Sequence, residues 1–182
     1  MKKLNAGCGL DIKPKEEGWI NLDQHDKCGA DVIHDLTEIP LPFPDNHFGY
    51  VYCSHVLEDF SEPLETIKEF IRITKPKGLI EIKTPFETNQ ELTNMNHKTS
   101  FTLSKFRSIT TSWGNENYGE KPKVRIKELH YYEDSGNNKY FQGFKKLVAS
   151  FYNLLPISLV ERSFIKYLFC VVNCRVVYEK LE

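Results

Sequence analysis

Between Lys3 and Asp59, four apolar stretches each end in residues able to hold a ligand or move a proton. The first, Leu4-Asn5-Ala6-Gly7-Cys8-Gly9, sets two glycines where a strand must turn sharply and let a ligand touch bare backbone. The second, Trp19-Ile20-Asn21-Leu22-Asp23, ends in a carboxylate that can accept both hydroxyls of a ribose. The third, Ala30–Leu36, repeats the theme with Asp35. The fourth, Phe48–Cys53, delivers Ser54 and His55, and His55 is expected to open the following helix beside the same pocket. The pattern is that of a nucleotide-type site.

Read as motifs, these stretches are LN-x-GCG, GW-x-N-x-D, HDL, PLPFPDN-x-F and SHVLE, in that order. In this they resemble the class I S-adenosylmethionine-dependent methyltransferases, in particular compact, methyltransferase type 11-like members. The resemblance is strong through Ile82-Lys83-Thr84-Pro85 and continues beyond it only in layout. It implies a Rossmann-like α/β fold with a mostly parallel seven-stranded sheet, an antiparallel last strand and helices on both faces. It also implies S-adenosyl-L-methionine as cofactor and S-adenosyl-L-homocysteine as product. Gly7, Cys8 and Gly9 would then pack along the methionine part of the cofactor, and Asp23 would take its ribose. Asp35 and the backbone of Leu36 would meet the adenine, with Cys53, Ser54 and His55 contributing from the fourth strand.

The chain departs from that pattern in several places. Many relatives carry an acid where Asn5 stands and a glycine at Leu10. Asn5 can still accept from an ammonium through its amide oxygen, with a weaker grip than a carboxylate. Only Leu10–Gly18 separates the loop from the second strand, and Pro14 falls within it, so no full helix is expected there. Asp59 occupies a position usually held by His. A dinucleotide fingerprint fits less well, because GxGxxG needs a third glycine where Ile12 stands and an acid later than Asp23.

The remaining layout alternates strand and helix. Pro63 sits in the first turn of a helix running to Ile73, with Leu64, Ile67, Phe70 and Ile71 on one face. Lys75-Pro76-Lys77-Gly78 turns into a fifth strand at Leu79–Ile82, while Pro40, Pro42 and Pro44 stiffen the connection before the fourth. Residues 86–117, rich in Asn, Thr and Ser, follow the fifth strand and read as a substrate lid containing His97, with Thr102 capping a short helix. A sixth strand is expected over Lys123–Tyr132 and a last one over Asn173–Leu181. Residues 141–172 between them read as two helices broken at Pro156. The first would bury Phe144, Leu147, Val148 and Phe151, the second Leu159, Val160, Phe164 and Leu168. Packing against the sheet is the expected use of this stretch; its aromatic load also suits a homodimer interface or an apolar substrate.

The whole of 1–182 is expected to form one domain. Net charge is −1 overall, but residues 1–97 carry −7 and residues 98–182 carry +6. Without a compact basic cluster this reads as a solvated surface before it reads as an RNA site. Five cysteines, with no CxxC pair, point to neither a disulfide framework nor a metal site and fit a reducing, cytoplasmic setting, with Cys170 and Cys174 as buried fillers. Because the first strand begins at once, no signal peptide is expected, and none of the uncharged runs, the longest being the 14 residues of Leu147–Val160, is expected to span a membrane.

Methyl transfer from a sulfonium is an in-line displacement, so an enzyme must mainly align the partners and exclude water. A base is needed only when the acceptor must lose a proton. His55 is placed for that work, since imidazole titrates near neutrality. Asp59, one helical turn on, would share its face and orient it, and His97 would approach from the lid. Each has a plainer use: His55 as helix cap or cofactor ligand, Asp59 as a solvated carboxylate, His97 as a backbone partner. His25, His34, His47 and His130 show no metal spacing, and Tyr131 and Tyr132 can line the substrate side only one at a time. The acceptor expected is a small or mid-sized molecule, with O-methylation of a sugar or related metabolite foremost. RNA or protein methylation and an inactive cofactor-binding scaffold are the alternatives.

Overall fold

Aliphatic and aromatic runs become seven strands of one sheet in the computed structural model, which describes residues 1–86, 95–111, 123–132, 139–162 and 173–181. Residues 139–145 and 161–162 are described by backbone alone. The strands are β1 (Lys3–Ala6), β2 (Trp19–Asp23), β3 (Val32–Ile33), β4 (Phe48–Ser54), β5 (Thr74–Pro85), β6 (Val124–Tyr132) and β7 (Asn173–Lys180). Their order across the sheet is β3-β2-β1-β4-β5-β7-β6. Pairs from β3 through β5 are parallel, whereas β7 lies antiparallel between β5 and β6, as the resemblance implies. The order reverses between β1 and β4, and ligands of open α/β sheets bind beyond the carboxyl ends of such strands.

Strand register sorts the side chains. Leu4, Val51, Ile80 and Tyr178 lie side by side across β1, β4, β5 and β7, as do Ala6, Cys53, Ile82 and Val176, and all are fully buried. Burying each larger aliphatic here contributes about 1.5–3 kcal/mol. Intervening residues such as Asn5, Tyr52 and Glu81 face the other way. On that polar face Glu81 accepts from Tyr50 at 2.6 Å and from Arg175 at 2.7 and 2.9 Å.

Helix α1 (Pro63–Ile73) has the bounds that Pro63 and the apolar spacing predict, and it buries Ile67, Phe70 and Ile73 in the sheet core. Its last turns hold the proline-rich connection. Glu69 accepts from the Leu41 amide at 2.8 Å, and Arg72 donates to Leu41 and Phe43 carbonyls at 3.1 and 3.0 Å. The strand after it starts earlier than expected, at Thr74, because Thr74 pairs with Phe48 before the register shifts to Tyr50 and Leu79. The first crossover indeed lacks an α-helix, containing only a 3₁₀ turn at Lys15–Glu17.

Helix α2 (Leu103–Ser108) is capped as expected, with Thr102 Oγ1 accepting from the Lys105 amide at 3.1 Å. Phe101, Leu103 and Phe106 are buried, and the Tyr178 hydroxyl donates to the Phe106 carbonyl at 2.6 Å. The described part of the expected lid is therefore anchored in the core. Helices α3 (Lys139–Leu154) and α4 (Ile157–Arg162) flank Pro156 as predicted. The face of α3 is rotated from the predicted one: Val148, Ala149 and Tyr152 are buried, while Leu147 and Phe151 are 67% and 46% exposed. The Asn153 amide sets this rotation by pairing with both the N–H and C=O of Tyr131 at 2.9 Å, which seats Tyr152 edge-on against Tyr131. In α4, Val160 is buried and Leu159 is largely exposed. The Phe144 side chain, Phe164, Leu168 and Cys170 lie outside the described residues. No helix among the described residues is long and apolar enough to cross a membrane.

Candidate functional site

The turn after β1 carries the conformations that its glycines predict, with φ of 69° at Gly7 and 48° at Gly9. A β-carbon on Gly7 would stand 2.4 Å from Val56 Cγ2, so the loop presses against the segment leaving β4. One on Gly9 would meet nothing within 4 Å, which leaves its backbone open to a ligand. The Gly7 and Cys8 amides donate to the Leu22 carbonyl at 2.8 and 3.0 Å. Asp23, buried at the end of β2, accepts from the Gly9 amide through Oδ2 at 2.8 Å and from the His25 amide through Oδ1 at 3.0 Å. Each oxygen keeps a further lone pair for a hydroxyl. The open backbone at Gly9 beside a fixed acid fits the ribose and methionine parts of the cofactor that the motifs imply.

The Asn5 amide N–H groups donate to the Asp11 carbonyl at 2.7 Å and to Asn21 Oδ1 at 3.0 Å, which fixes the side chain. Asn21, fully buried, completes four bonds, accepting also from the Lys13 amide and donating to the Lys13 carbonyl and to Asp31 Oδ2. Asp31 accepts from the Asn21 amide at 2.8 Å and pairs with Lys15 at 2.6 Å. Although burial pushes its carboxyl up, the Lys15 ammonium and the Asn21 bonds hold it below the ordinary range. These polar side chains strap residues 10–18 to the sheet where a helix would otherwise pack. Sequence reading missed Asn21 and Asp31. The available signal was a polar residue in the middle of an apolar strand, in register with Asn5.

At the third strand end, Asp35 Oδ1 accepts from the Thr37 amide and hydroxyl, both at 2.8 Å, and these bonds lower its pKa. Leu36 is buried, and its carbonyl accepts from Thr66 at 3.2 Å. Cys53 projects into the core, where burial and then the Glu58 charge push its thiol pKa well up, so what it offers a ligand is backbone.

No α-helix opens at His55. The residue has φ of 56°, its amide donates to the Lys83 carbonyl at 3.0 Å, and a 3₁₀ turn follows at Leu57–Asp59. That overturns the expected helical face shared by His55 and Asp59, since His55 is left-handed and lies outside the turn that holds Asp59. Glu58 takes the place, with Oε1 3.4 Å from His55 Nδ1. Glu58 is only 2% exposed, and its Oε2 has no hydrogen-bond partner among the described residues. On the far side of the ring, His55 Nε2 is 3.3 Å from the Tyr132 hydroxyl. Tyr131, its neighbour on β6, points into the core.

Asp59 turns the other way, 3.8 Å from His97 Nε2, and lines a cleft of about 380 Å³ with Thr37, Phe60 and Lys98. Burial and then Glu58 raise its pKa. The backbone of Glu58 accepts from the amides of Lys98 and Thr99 at 2.7 and 2.9 Å, so residues 97–99 are bound to the turn that carries His55. The structure thus gathers Gly7, Cys8, Gly9, Asp23 and His55 around the carboxyl ends of β1, β2 and β4, and sets Asp59 and His97 apart as a second pair.

Residues 4–82 match the family described as Methyltransferase domain. The demethylmenaquinone methyltransferase of Lysinibacillus sphaericus is 30% identical over 122 residues, covering 66% of this chain and 46% of that protein. This chain spans less than half the length of the curated relatives it matches. Among solved structures, an S-adenosylmethionine-dependent methyltransferase from Archaeoglobus fulgidus superposes with a TM-score of 0.61 at 17% identity, covering 98% of this chain and 86% of that one. One from Mesorhizobium loti gives 0.61 at 12% identity, with coverage of 98% and 90%. Residues 4–82 thus carry the likeness to the Methyltransferase domain family, the seven-stranded sheet with an antiparallel β7 has the fold of solved S-adenosylmethionine-dependent methyltransferases, and S-adenosylmethionine is the cofactor that these likenesses imply.

Proposed function

We propose that this chain methylates a hydroxyl of a small or mid-sized acceptor, a sugar or related metabolite, with His55 as general base and Glu58 as the residue that orients it. The observation that carries the reading is the Glu58 Oε1–His55 Nδ1 approach of 3.4 Å at the end of β4. The cofactor supplies an electrophilic methyl group when bound. Gly7, Cys8 and Gly9 flank its methionine part, Asp23 accepts from its ribose hydroxyls, and Asp35 and Leu36 border its adenine. His55 Nε2 receives the acceptor proton as the oxygen attacks, and the buried Glu58 carboxylate favours the imidazolium that results. Tyr132, 3.3 Å from the same nitrogen, borders the acceptor position and yields the Nε2 lone pair to the acceptor hydroxyl. His97 and Asp59 contribute from the neighbouring turn.

Relatives named for demethylmenaquinone support a small-molecule acceptor. The structure also accounts for part of the basic C-terminal half: Arg125 pairs with Glu179, Arg175 with Glu81 and Glu128, and Lys180 is buried against Thr74 and Asn46. Arg175 and Lys180 are thereby held against the sheet and are not displayed for a phosphate backbone, while Arg125 stays exposed beside Glu179.

Calorimetry with S-adenosylmethionine and S-adenosylhomocysteine, followed by an acceptor screen, tests the reading. Micromolar binding of both and turnover on a hydroxyl acceptor are expected. His55→Ala should then lower kcat about 10²–10⁴-fold with homocysteine-ligand affinity intact. Unchanged kcat in that variant would remove His55 from the chemistry.

A further inference from the structure

Cys8 and Cys28 stand 20 positions apart in sequence with no metal-binding spacing, yet the fold brings their thiols together beside Asp23. One Cys8 Sγ, one Cys28 Sγ and one Asp23 carboxylate oxygen lie within 4.8 Å of one another. They come from three different places: the loop after β1, the end of β2 and the 3₁₀ turn Asp26–Cys28. We propose that these three residues form a site for a thiophilic divalent cation of the zinc class, which engages Asp23 and thereby excludes the cofactor. The exclusion rests on the reading of Asp23 as ribose acceptor; the metal site does not.

Two thiols and a carboxylate are a soft, anionic donor set that selects zinc-like ions over magnesium or calcium. With Zn–S near 2.3 Å and Zn–O near 2.0–2.2 Å, tetrahedral donors stand about 3.5–3.8 Å apart, so closure requires movement of about 1 Å. Cys28 can supply it, being partly exposed in a three-residue turn. Asp23 is already held by the Gly9 and His25 amides, whereas the Cys28 thiol, which donates to the His25 carbonyl at 2.8 Å, releases that bond with its proton on coordination. Outer contacts of this kind orient ligands before a metal arrives. Cys8 is 4% exposed, so its thiol is fixed by packing in the loop after β1. Among the described residues no fourth His, Cys, Asp or Glu joins the three, which leaves a coordination position for solvent.

The test titrates the reduced full chain with cobalt(II) and zinc(II), and measures S-adenosylhomocysteine affinity with and without zinc, for wild type and Cys28→Ser. Expected are one cobalt per chain with thiolate-to-cobalt charge-transfer absorption, loss of that absorption in Cys28→Ser, and displacement of cobalt by zinc. Zinc at about ten times its dissociation constant should weaken S-adenosylhomocysteine about tenfold in wild type and leave Cys28→Ser unaffected. Absence of charge-transfer absorption at equimolar cobalt, or its persistence in Cys28→Ser, overturns the site; affinity indifferent to saturating zinc overturns the exclusion. The cobalt spectrum reads the metal site alone and zinc-free calorimetry reads the cofactor site alone, so failure of one is not failure of the other.

Discussion

Gly9 donates its amide to Asp23 Oδ2 at 2.8 Å, across the gap between the turn after β1 and the end of β2. A second amide, from His25, holds Oδ1 at 3.0 Å. The acid that would bind a ribose is therefore also the clamp that shapes the loop lying beside it.

Substitution at Asp23 should consequently cost stability as well as affinity. Asp23→Ala strands two backbone donors, and a loss of about 2–4 kcal/mol in urea unfolding is expected, with S-adenosylhomocysteine binding weakened at least about tenfold. Asp23→Asn keeps one acceptor and should fall between. Equal unfolding midpoints for wild type and Asp23→Ala would show that the clamp holds nothing.

Gly7 and Val56 offer a double-mutant cycle. Gly7→Ala meets two penalties: a contact of 2.4 Å with Val56 Cγ2 and a left-handed backbone at φ of 69° that costs about 1–2 kcal/mol. Val56→Ala relieves only the first. The pair should recover part of the loss of Gly7→Ala, and full additivity in thermal unfolding would place the penalty in the backbone alone.

How much of this was legible in sequence depended on whether a residue acts through its own element. Gly7, Gly9 and Asp23 were readable because positive φ and a strand-ending acid leave marks at fixed positions. The α1 bounds followed from Pro63 and apolar spacing. Asp59 pairs with His55 only on α-helical spacing; His55 is instead left-handed ahead of a 3₁₀ turn, and Glu58 approaches its ring. The α3 face was set by Asn153 reaching the β6 backbone, a contact that no periodicity encodes. Cys28 was unreadable for the same reason: its partner comes from another strand end.

Asn21 makes a sharper case than its neighbours. Its amide, fully buried, meets two donors and two acceptors. Asn21→Leu fills the volume but strands Asp31 and the Lys13 backbone, and a loss of roughly 2–4 kcal/mol is expected. Hydrogen exchange at the Lys13 and Asp11 amides should rise in that variant before global unfolding. Protection equal to wild type would place the anchorage of the strap elsewhere.

Glu69 sets a pH dependence with a definite sign. Its bonds to Arg72, aided by the Leu41 amide and opposed by burial, hold its pKa below the ordinary 4.5. A folded value below the unfolded one means that stability is fully present above about pH 4.5 and is lost as pH falls through the folded value. Glu69→Gln should be less stable at pH 7 by roughly 1–3 kcal/mol and should lose less on acidification than wild type. Parallel stability curves for the two proteins below pH 4.5 would contradict the assignment.

The strap over residues 10–18 also decides which charge the pocket tolerates. Where a glycine loop runs into a full helix, the first-turn amides and the positive end of the helix macrodipole make a seat for pyrophosphate. Here the loop is followed by a 3₁₀ turn of three residues, Lys15–Glu17, too short to build such a pole. No positive pole stands behind Gly9. A pyrophosphate loses its counter-charge in such a pocket, whereas a sulfonium is spared a repulsion, so the brevity of one crossover favours a cationic cofactor over a dinucleotide.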